Sequence, residues 1–524
     1  MHSFDLVTAP WIPVLSASGV RDVGLADAFS EDIAALATGD SYEDVALLRL
    51  MIAIAVAADA ESLHPAQWVR NHTGDFDLFH PQRPFAQNAD MLRFIDAGKT
   101  NPIADLSYRH GGTGKAAANM FHSHSGITLT PAETARQLVV RQCFSVPGIQ
   151  PFLGNLFPAQ KHPGTGKMET VLPSIAAEGT AGTLAWIEDG DLPSTLAANV
   201  AAVRGRPLGT FHFTWTHGHP PVYLHPEGVL DGLTYLARSI YVEPGTEVTR
   251  AMVCNGVRWP ADKDKLGYTE DMDPELKPFA LYLISSEEHN AAKRATERIV
   301  KAAKAGKKAK PVAPKTFPRR NYSSSMGRTA WRTLLRGLVD QQPPSAVLSA
   351  ARPGQTLRTA GIGTSNQSRI DGLFVASLPA PAEGVDPAAI NAAVEHHVAR
   401  HVEMVAVSRN LRGRSAAVES EKDIRRALEG QITSVLDAQM YPHVCAALRG
   451  ECALSDLELR LAAISEAAGG AAVAGMAPAR PEAASQLRRI RDARWSKKQR
   501  DAADLAAIVA KNTAENTSTG QDNN

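Results

Sequence analysis

The sequence predicts an α+β protein: a large mixed α/β domain over residues 1–384, then a C-terminal four-helix bundle over residues 385–510 and a disordered tail, 511–524. Two observations predict it. In the first part, short aromatic and branched runs mix irregularly with capped helical segments, without a βαβ rhythm or an internal repeat. From Asp386 onward the apolar residues recur at helical spacing in four successive stripes, the pattern of helices packed in an antiparallel bundle.

The elements follow in chain order. VALLRLMIAIAVAADA from Val45 is the most apolar window, interrupted by Arg49 and too short to cross a bilayer; it reads as a buried helix, with Ser41 and Asp44 resembling a capping box at its start. LTPAETARQLVVRQCF is a second helix: Thr130 caps, Pro131 takes the first helical position, and Glu133 falls three residues after the cap. It stops near Val146–Gly148, where proline and glycine break the pattern. Strand candidates are GTLAWIEDG, GTFHFTWTH and PFALYLIS. In the bundle, Asp386 and Pro387 open a helix with Ile390, Val394, His397/Val398, His401/Val402 and Val405 on one face. A second stripe runs from Ile424 to Met440, a third from Leu454 to Ile464 and a fourth from Leu487 to Val509, the last two separated by the glycine-rich AAGGAAVAGMAPARP.

Charge and cysteine usage narrow the function. Lys+Arg and Asp+Glu number 55 each, so a zero net charge argues against a purely electrostatic nucleic-acid coat while leaving local patches open. Two such patches exist. Residues 293–320 carry eleven basic side chains against Glu297, either a solvated loop or a phosphate-contacting arm. The last helix begins LRRIRDARWSKKQR, with seven basic residues to one acid from Arg488 to Arg500, Arg488 and Arg491 among them. Four scattered cysteines without a CxxC point to a reduced, cytoplasmic chain, and the N-terminus has neither the basic start nor the apolar core of a signal peptide. No membrane partner is expected.

Catalytic signatures fail on spacing. GGTGK ending at Lys115 and GTGK ending at Lys167 are not P-loops: Arg109 and Lys161 stand where the first glycine belongs, and Ala116 and Met168 where a Ser/Thr must hold magnesium. The i, i+4 pair His397/His401 lies on one helix face but lacks the HExxH arrangement, and no GxSxG elbow occurs. No cofactor or metal is expected, and the chain reads as a binder, not an enzyme. A His-dependent metal hydrolase using His217, His219, His397 and His401 is the alternative from another class; a standalone basic adaptor for nucleic acid is a third.

One stretch stands apart. GIGTSNQSRID, Gly361 to Asp371, joins two glycines to hydroxyl and carboxamide side chains and an arginine, just before the apolar run Gly372-Leu-Phe-Val-Ala. A surface turn entering a strand accounts for it. So does a backbone that approaches another molecule, with Asn366 and Gln367 offering the donors and acceptors that base edges and phosphates complement.

Several stretches together resemble the CasA family, the large subunit of the type I-E CRISPR surveillance complex Cascade. They are FDLVTAPWIPVLSASGVRDVGLADAF, EDVALLRLMIAIA, NMFHSHSGITLTPAETARQLVVRQCFSVPG, PEGVLDGLTYLARSIYV, TAWRTLLRGL and TSNQSR, in the family's order over most of the chain. The resemblance implies the same large mixed domain and helical bundle, and a non-enzymatic role. Such a subunit recognises the PAM beside a double-stranded DNA target, helps start unwinding and R-loop formation, and recruits the separate helicase-nuclease, while guide pairing supplies sequence specificity. Its implied partners are target DNA, the 5′ end of the CRISPR RNA, the other Cascade subunits and that nuclease.

The resemblance also assigns residues. Gln367 falls at the family's wedge, flanked by Asn366 and Ser368. The family's glycine-rich loop falls at SVPGIQPFLGN, where Gly148 and Gly154 stand without a glycine run. A minor-groove lysine falls at Lys265, with Lys263 in reserve; the minor-groove code is degenerate, so such a reader tolerates several PAMs. Phe121 falls in the loop that anchors the subunit to the guide RNA, where a core phenylalanine is the competing reading. The cysteine-rich segment of some relatives is absent, AMVCNGV supplying only Cys254.

Overall fold

The structure, a computed structural model, describes residues 3–92, 100–106, 127–144, 183–213, 227–234, 236, 238–255, 278–279, 282–283, 320–321, 330–340, 345–366, 369–410 and 438–474. Helices and strands are mixed throughout the first of two compact units, Met1–Leu283 with Arg319–Val385; the second unit is Ile284–Pro318 with Asp386–Asn524.

The chain opens with an antiparallel sheet in the order β2-β1-β3: β1 (Ile12–Ser16), β2 (Gly19–Val23) and β3 (Ile33–Leu36). Trp11, just before β1, is fully buried and donates its indole N–H to the Leu6 carbonyl at 2.9 Å, so its one polar atom is satisfied inside. The apolar window forms α1 (Ser41–Ala60), buried from Val45 to Ala58. A helix covered on all sides needs no amphipathic pattern. Its cap is Asp40, one residue before the expected Ser41, accepting from the Tyr42 N–H at 2.9 Å. Asp44 does not close a box with Ser41; it accepts from the backbone and hydroxyl of Thr38 instead. Arg49, 1% exposed, donates to the Gly232 carbonyl at 3.0 Å, 183 residues away.

Around α1 pack α2 (Pro65–Asn71), α3 (Pro131–Cys143), α4 (Leu192–Val203) and α5 (Val229–Thr234). The Thr130–Glu133 box forms as expected: the Glu133 N–H donates to Thr130 Oγ1 at 3.2 Å and the Thr130 N–H to Glu133 Oε2 at 2.8 Å. From α3, Arg136 and Gln137 both reach Glu43 on α1, at 2.8 and 2.7 Å, and Arg136 also donates to the Trp11 carbonyl. The node unites two of the sequence's most characteristic stretches, PWIPV and LTPAE, and gives both a structural reason.

A second antiparallel sheet has the order β4-β7-β6, from β4 (Asn101–Pro102), β6 (Arg238–Val242) and β7 (Arg250–Asn255). The edge of β6 away from β7 is filled by two glutamine side chains and one backbone N–H. Gln142 donates to the Arg238 carbonyl and accepts from its N–H; Gln87 accepts from the Val242 N–H; the Asn88 N–H bonds the Ile240 carbonyl. Two amide side chains and a backbone N–H together stand in for a neighbouring strand, because buried backbone groups must be paired.

The three strand candidates diverge. GTLAWIEDG forms β5 (Thr183–Glu188), and among its described residues PFALYLIS contributes β8 (Tyr282–Leu283), paired with β9 (Arg320–Asn321). GTFHFTWTH is not a strand over its described residues, 209–213. Its alternation arises because Phe211 and Phe213 enter an aromatic cluster with Trp68, Phe76 and Phe85, while His212 is buried against Asp231 at 2.5 Å. Asp231 also accepts from the N–H groups of Glu227 and Gly228, each at 2.8 Å. Gly209, at φ +71°, lies against this carboxylate where no Cβ fits.

α6 (Ala330–Asp340) and α7 (Ala346–Ala350) precede β10 (Thr356–Asn366) and β11 (Arg369–Pro379), which with β5 make a third sheet in the order β11-β10-β5. In the second unit, Asp386 caps α8 (Pro387–Asn410), accepting from the Ala388 N–H at 2.9 Å. Ile390, Val394, His397 and Val398 of α8 are buried, as are Leu457, Leu461 and Ser465 of α9 (Leu454–Ala474), which packs on α8; a helical stretch over 438–448 buries Met440, Val444 and Leu448. α9 runs straight through Gly469 and Gly470, where the glycine-rich sequence predicts a break. The flanking alanines offset the roughly 1 kcal/mol that each glycine subtracts from a helix. The second stripe before residue 438 and the whole fourth stripe lie outside the described residues.

Candidate nucleic-acid interface

GIGTSNQSRID is strand on both sides, not a turn leading into one. β10 and β11 pair antiparallel from Thr356↔Pro379 to Asn366↔Arg369, leaving residues 367–368 as the connection. Near its base the hairpin is anchored in the core: Leu357 and Leu378 face each other fully buried, and Thr359 sits opposite Ala376, both buried. Ser345 and Phe279 help fix this base, the hydroxyl donating to the Pro278 carbonyl and the Phe279 carbonyl accepting from the β5 residue Ala185. Arg358 forms a diagonal cross-strand ion pair with Glu188 at 2.8 Å.

Toward the tip the described pairing with β5 ends. β5 pairs with β10 only from Thr356 to Gly361, so among the described residues Ile362–Asn366 and Arg369–Leu373 continue as a two-stranded ribbon. Gly363 stands opposite Gly372 where that ribbon begins. Two register shifts follow, between Gly363 and Thr364 and between Thr364 and Asn366. The first leaves Asp371 as the extra residue on β11, the second Ser365 on β10. Bulges on both strands increase the local twist and turn the tip relative to the sheet below. A narrow, twisted two-stranded ribbon is one of the elements that a duplex groove admits.

Of the residues singled out by sequence, Asn366 is described, at the last register pair before the tip. Gln367, Ser368, Gly148, Gly154, Lys263, Lys265, Phe121, Arg488 and Arg491 lie outside the described residues, as do the basic segment up to Arg319, His217 and His219. His397 is buried on α8, its ring edge-on to His396 with centroids 5.0 Å apart and its carbonyl accepting from Ser465 at 3.4 Å. Among the described residues no group of three or more His, Cys, Asp or Glu is placed to hold a metal ion, and no helix is long and apolar enough to cross a membrane. Sequence reading missed Arg369 as the cross-strand partner of Asn366; the two-residue spacing across Gln367-Ser368 is the signal for it, that of the shortest hairpin connection.

Comparison with known proteins gives the fold a context. A curated relative, the CRISPR-associated protein CasA/Cse1 of Thermus thermophilus, is 27% identical over 168 residues, a match covering 28% of this chain and 33% of that protein. The match thus spans about a third of the relative's length. The solved structure of Thermobifida fusca Cse1 superposes with a TM-score of 0.67 at 18% identity, covering 94% of this chain and 98% of the other. A chain of a CRISPR RNA-guided surveillance complex superposes with a TM-score of 0.61 at 17% identity, covering 94% and 99%. At these identities the superpositions establish the fold. The sequence profile described as CRISPR-associated protein Cse1 (CRISPR_cse1) matches residues 5–449, and the chain belongs to that family.

Proposed function

We propose that this chain is a non-catalytic subunit of an RNA-guided CRISPR surveillance complex. It recognises the PAM in double-stranded target DNA, initiates unwinding and R-loop formation, and recruits the helicase-nuclease. The observation that carries this reading is the β10–β11 ribbon: a rigidly based, bulged hairpin whose tip sequence is Asn366-Gln367-Ser368-Arg369, in a chain of the Cse1 family. Gln367 acts as the wedge, with Asn366 and Ser368 beside it. Unstacking one base step costs a few kcal/mol, an amount that new contacts to a bent duplex offset.

The remaining assignments complete the path of the nucleic acids. Gly148 brings backbone toward the PAM, Lys265 with Lys263 reads the minor groove, and Phe121 anchors the subunit near the 5′ end of the CRISPR RNA. Arg488 and Arg491, on the fourth helix of a C-terminal four-helix bundle, contact phosphates. The subunit works with the other Cascade subunits in the cytoplasm and has no reactive centre of its own.

Reconstitution tests the reading. Complexes assembled on a guide RNA with and without this chain are compared for binding to a matched linear duplex with a randomised flank. The chain is expected to be required for stable binding and to impose a preference on the flank. Equal binding and an unbiased flank in its absence would overturn the proposal.

A further inference from the structure

The N-terminal sheet ends in an open edge. In the order β2-β1-β3, β2 has β1 on one side and, among the described residues, no strand on the other. The register fixes which backbone groups are left over. The Ala37 N–H donates to the Pro13 carbonyl at 2.9 Å, so Pro13, and Leu15 two residues on, turn their backbone groups toward β3. Ile12, Val14 and Ser16 then face β2, where they pair with Val23, Arg21 and Gly19. The alternate residues of β2, Val20 and Asp22, point their N–H and C=O groups away from β1. Among the described residues no hydrogen bond engages those outward groups.

The side chains beside this edge have their own pattern. Leu15 and Val20 stand directly opposite each other, 41% and 64% exposed, with the exposed Ala35 on the other flank of Leu15. Val14, on the opposite face, is fully buried, so the core lies on that side of the sheet. Asp22 is exposed on the same face as Val20, two residues along and across from Pro13. Arg21 points to the other face and pairs with Asp32 at 2.9 Å; Asp22 has no ion-pair partner among the described residues. Strand-spaced backbone donors and acceptors, an apolar pair and a lone carboxylate thus lie within one short stretch.

A strand meets all three demands, because its backbone bonds the open edge while alternate side chains reach one face. A helix does not, since its own backbone groups are already bonded internally. A second copy of β2 is disfavoured: two such strands pairing antiparallel in full overlap set Arg21 opposite its own copy, and like charges directly opposed destabilise a sheet. We propose that the β2 edge binds an extended segment of a partner protein as a fourth strand. That segment sets an apolar side chain against Leu15 and Val20 and, two residues away on the same face, a lysine or arginine against Asp22. The site is independent of the β10–β11 hairpin and of DNA binding.

The full-length chain is titrated with a labelled heptapeptide that alternates threonine with valine, lysine and valine, so that the last three share one face. A second peptide has glutamate in place of lysine. Fluorescence anisotropy reads affinity, and residue-resolved amide exchange reads the edge. The lysine peptide is expected to bind and to protect the amides of Val20 and Asp22, with the glutamate peptide weaker by about tenfold, the scale of a lost hydrogen bond to a charged group. Val20→Pro removes one outward N–H at an edge position that tolerates proline, and is expected to weaken binding about threefold to tenfold. Asp22→Lys, which alters only an exposed side chain, is expected to reverse the preference between the peptides and decides the matter if Val20→Pro does not fold. Absence of binding at millimolar lysine peptide overturns the proposal, as does binding that leaves the Val20 and Asp22 amides unprotected. A concentration-dependent dimer of the chain that Asp22→Lys or Val20→Pro dissolves also overturns it, assigning the edge to a second copy.

Discussion

Arg136 on α3 donates to Glu43 on α1 through Nε at 2.8 Å and to the Trp11 carbonyl through Nη1 at the same distance. Three segments of the chain meet there, the approach to β1, the start of α1 and the first turns of α3. Their sequence character follows from packing.

Burial pushes the Glu43 carboxyl above the usual carboxylate range, against the opposing pull of Arg136. A carboxyl raised in this way contributes stability that is full below its unfolded pKa and is lost as pH rises through the folded one. Removing the counter-charge widens that loss. Arg136→Ala is expected to destabilise the first unit by about 3 kcal/mol near neutral pH, and by less in acid, where Glu43 is protonated. Urea denaturation at about pH 5 and pH 7.5 reads the difference, and a loss independent of pH would contradict the assignment.

Gln142 stands in for a strand beside β6, bonding both the N–H and the carbonyl of Arg238 and the carbonyl of Ala86. Gln142→Leu keeps the bulk and abandons those backbone groups in the core. The expected loss is about 2–4 kcal/mol, since each buried unpaired group costs roughly 1–3 kcal/mol. Thermal denaturation measures it; a Tm within a degree of wild type would mean that water or another side chain takes over.

Thr130→Ala removes one half of the capping box on α3. A loss of about 1 kcal/mol is expected, with Thr130→Ser retaining most of the stability. Hydrogen exchange at the first turn of α3 should accelerate more than exchange at Leu138 or Val139, in the middle of the helix. Uniform acceleration would contradict a local cap.

Asp231→Asn tests the knot that ties 207–213 to 227–231. The carboxylate accepts from two backbone N–H groups through one oxygen and from His212 through the other. An amide replaces one acceptor by donors, so a loss of about 2–3 kcal/mol is expected, the scale of hydrogen bonds to a charged group. Denaturant midpoints of the variant and wild type provide the check.

What the sequence made legible was what is local. The Thr-Pro-x-Glu pattern at residue 130 and the Asp-Pro start at residue 386 cap helices within their own first turns, and both appear where read. Asp40 and Ser41 are both good caps and adjacent, so only Thr38, which engages Asp44, decides between them. Phe211 and Phe213 alternate like a strand because their partners lie in other segments, which local pattern does not register. Gln87 and Gln142 were invisible for the same reason: their role exists only once β6 lies beside them. At the ribbon, turn-forming residue types dominate Gly361–Asp371, yet long-range pairing extends the strands to within two residues of each other. The family resemblance located the candidate tip residue; the register supplied its cross-strand neighbour, Arg369.

The central claim is that the ribbon tip opens the duplex. A fluorescent base analogue at the first target position beyond the PAM, followed by stopped flow in complexes carrying wild-type or Gln367→Ala chain, tests it most directly. Slower unstacking in the variant, with complex composition and guide content unchanged, is the predicted result. Identical unstacking rates would contradict the account.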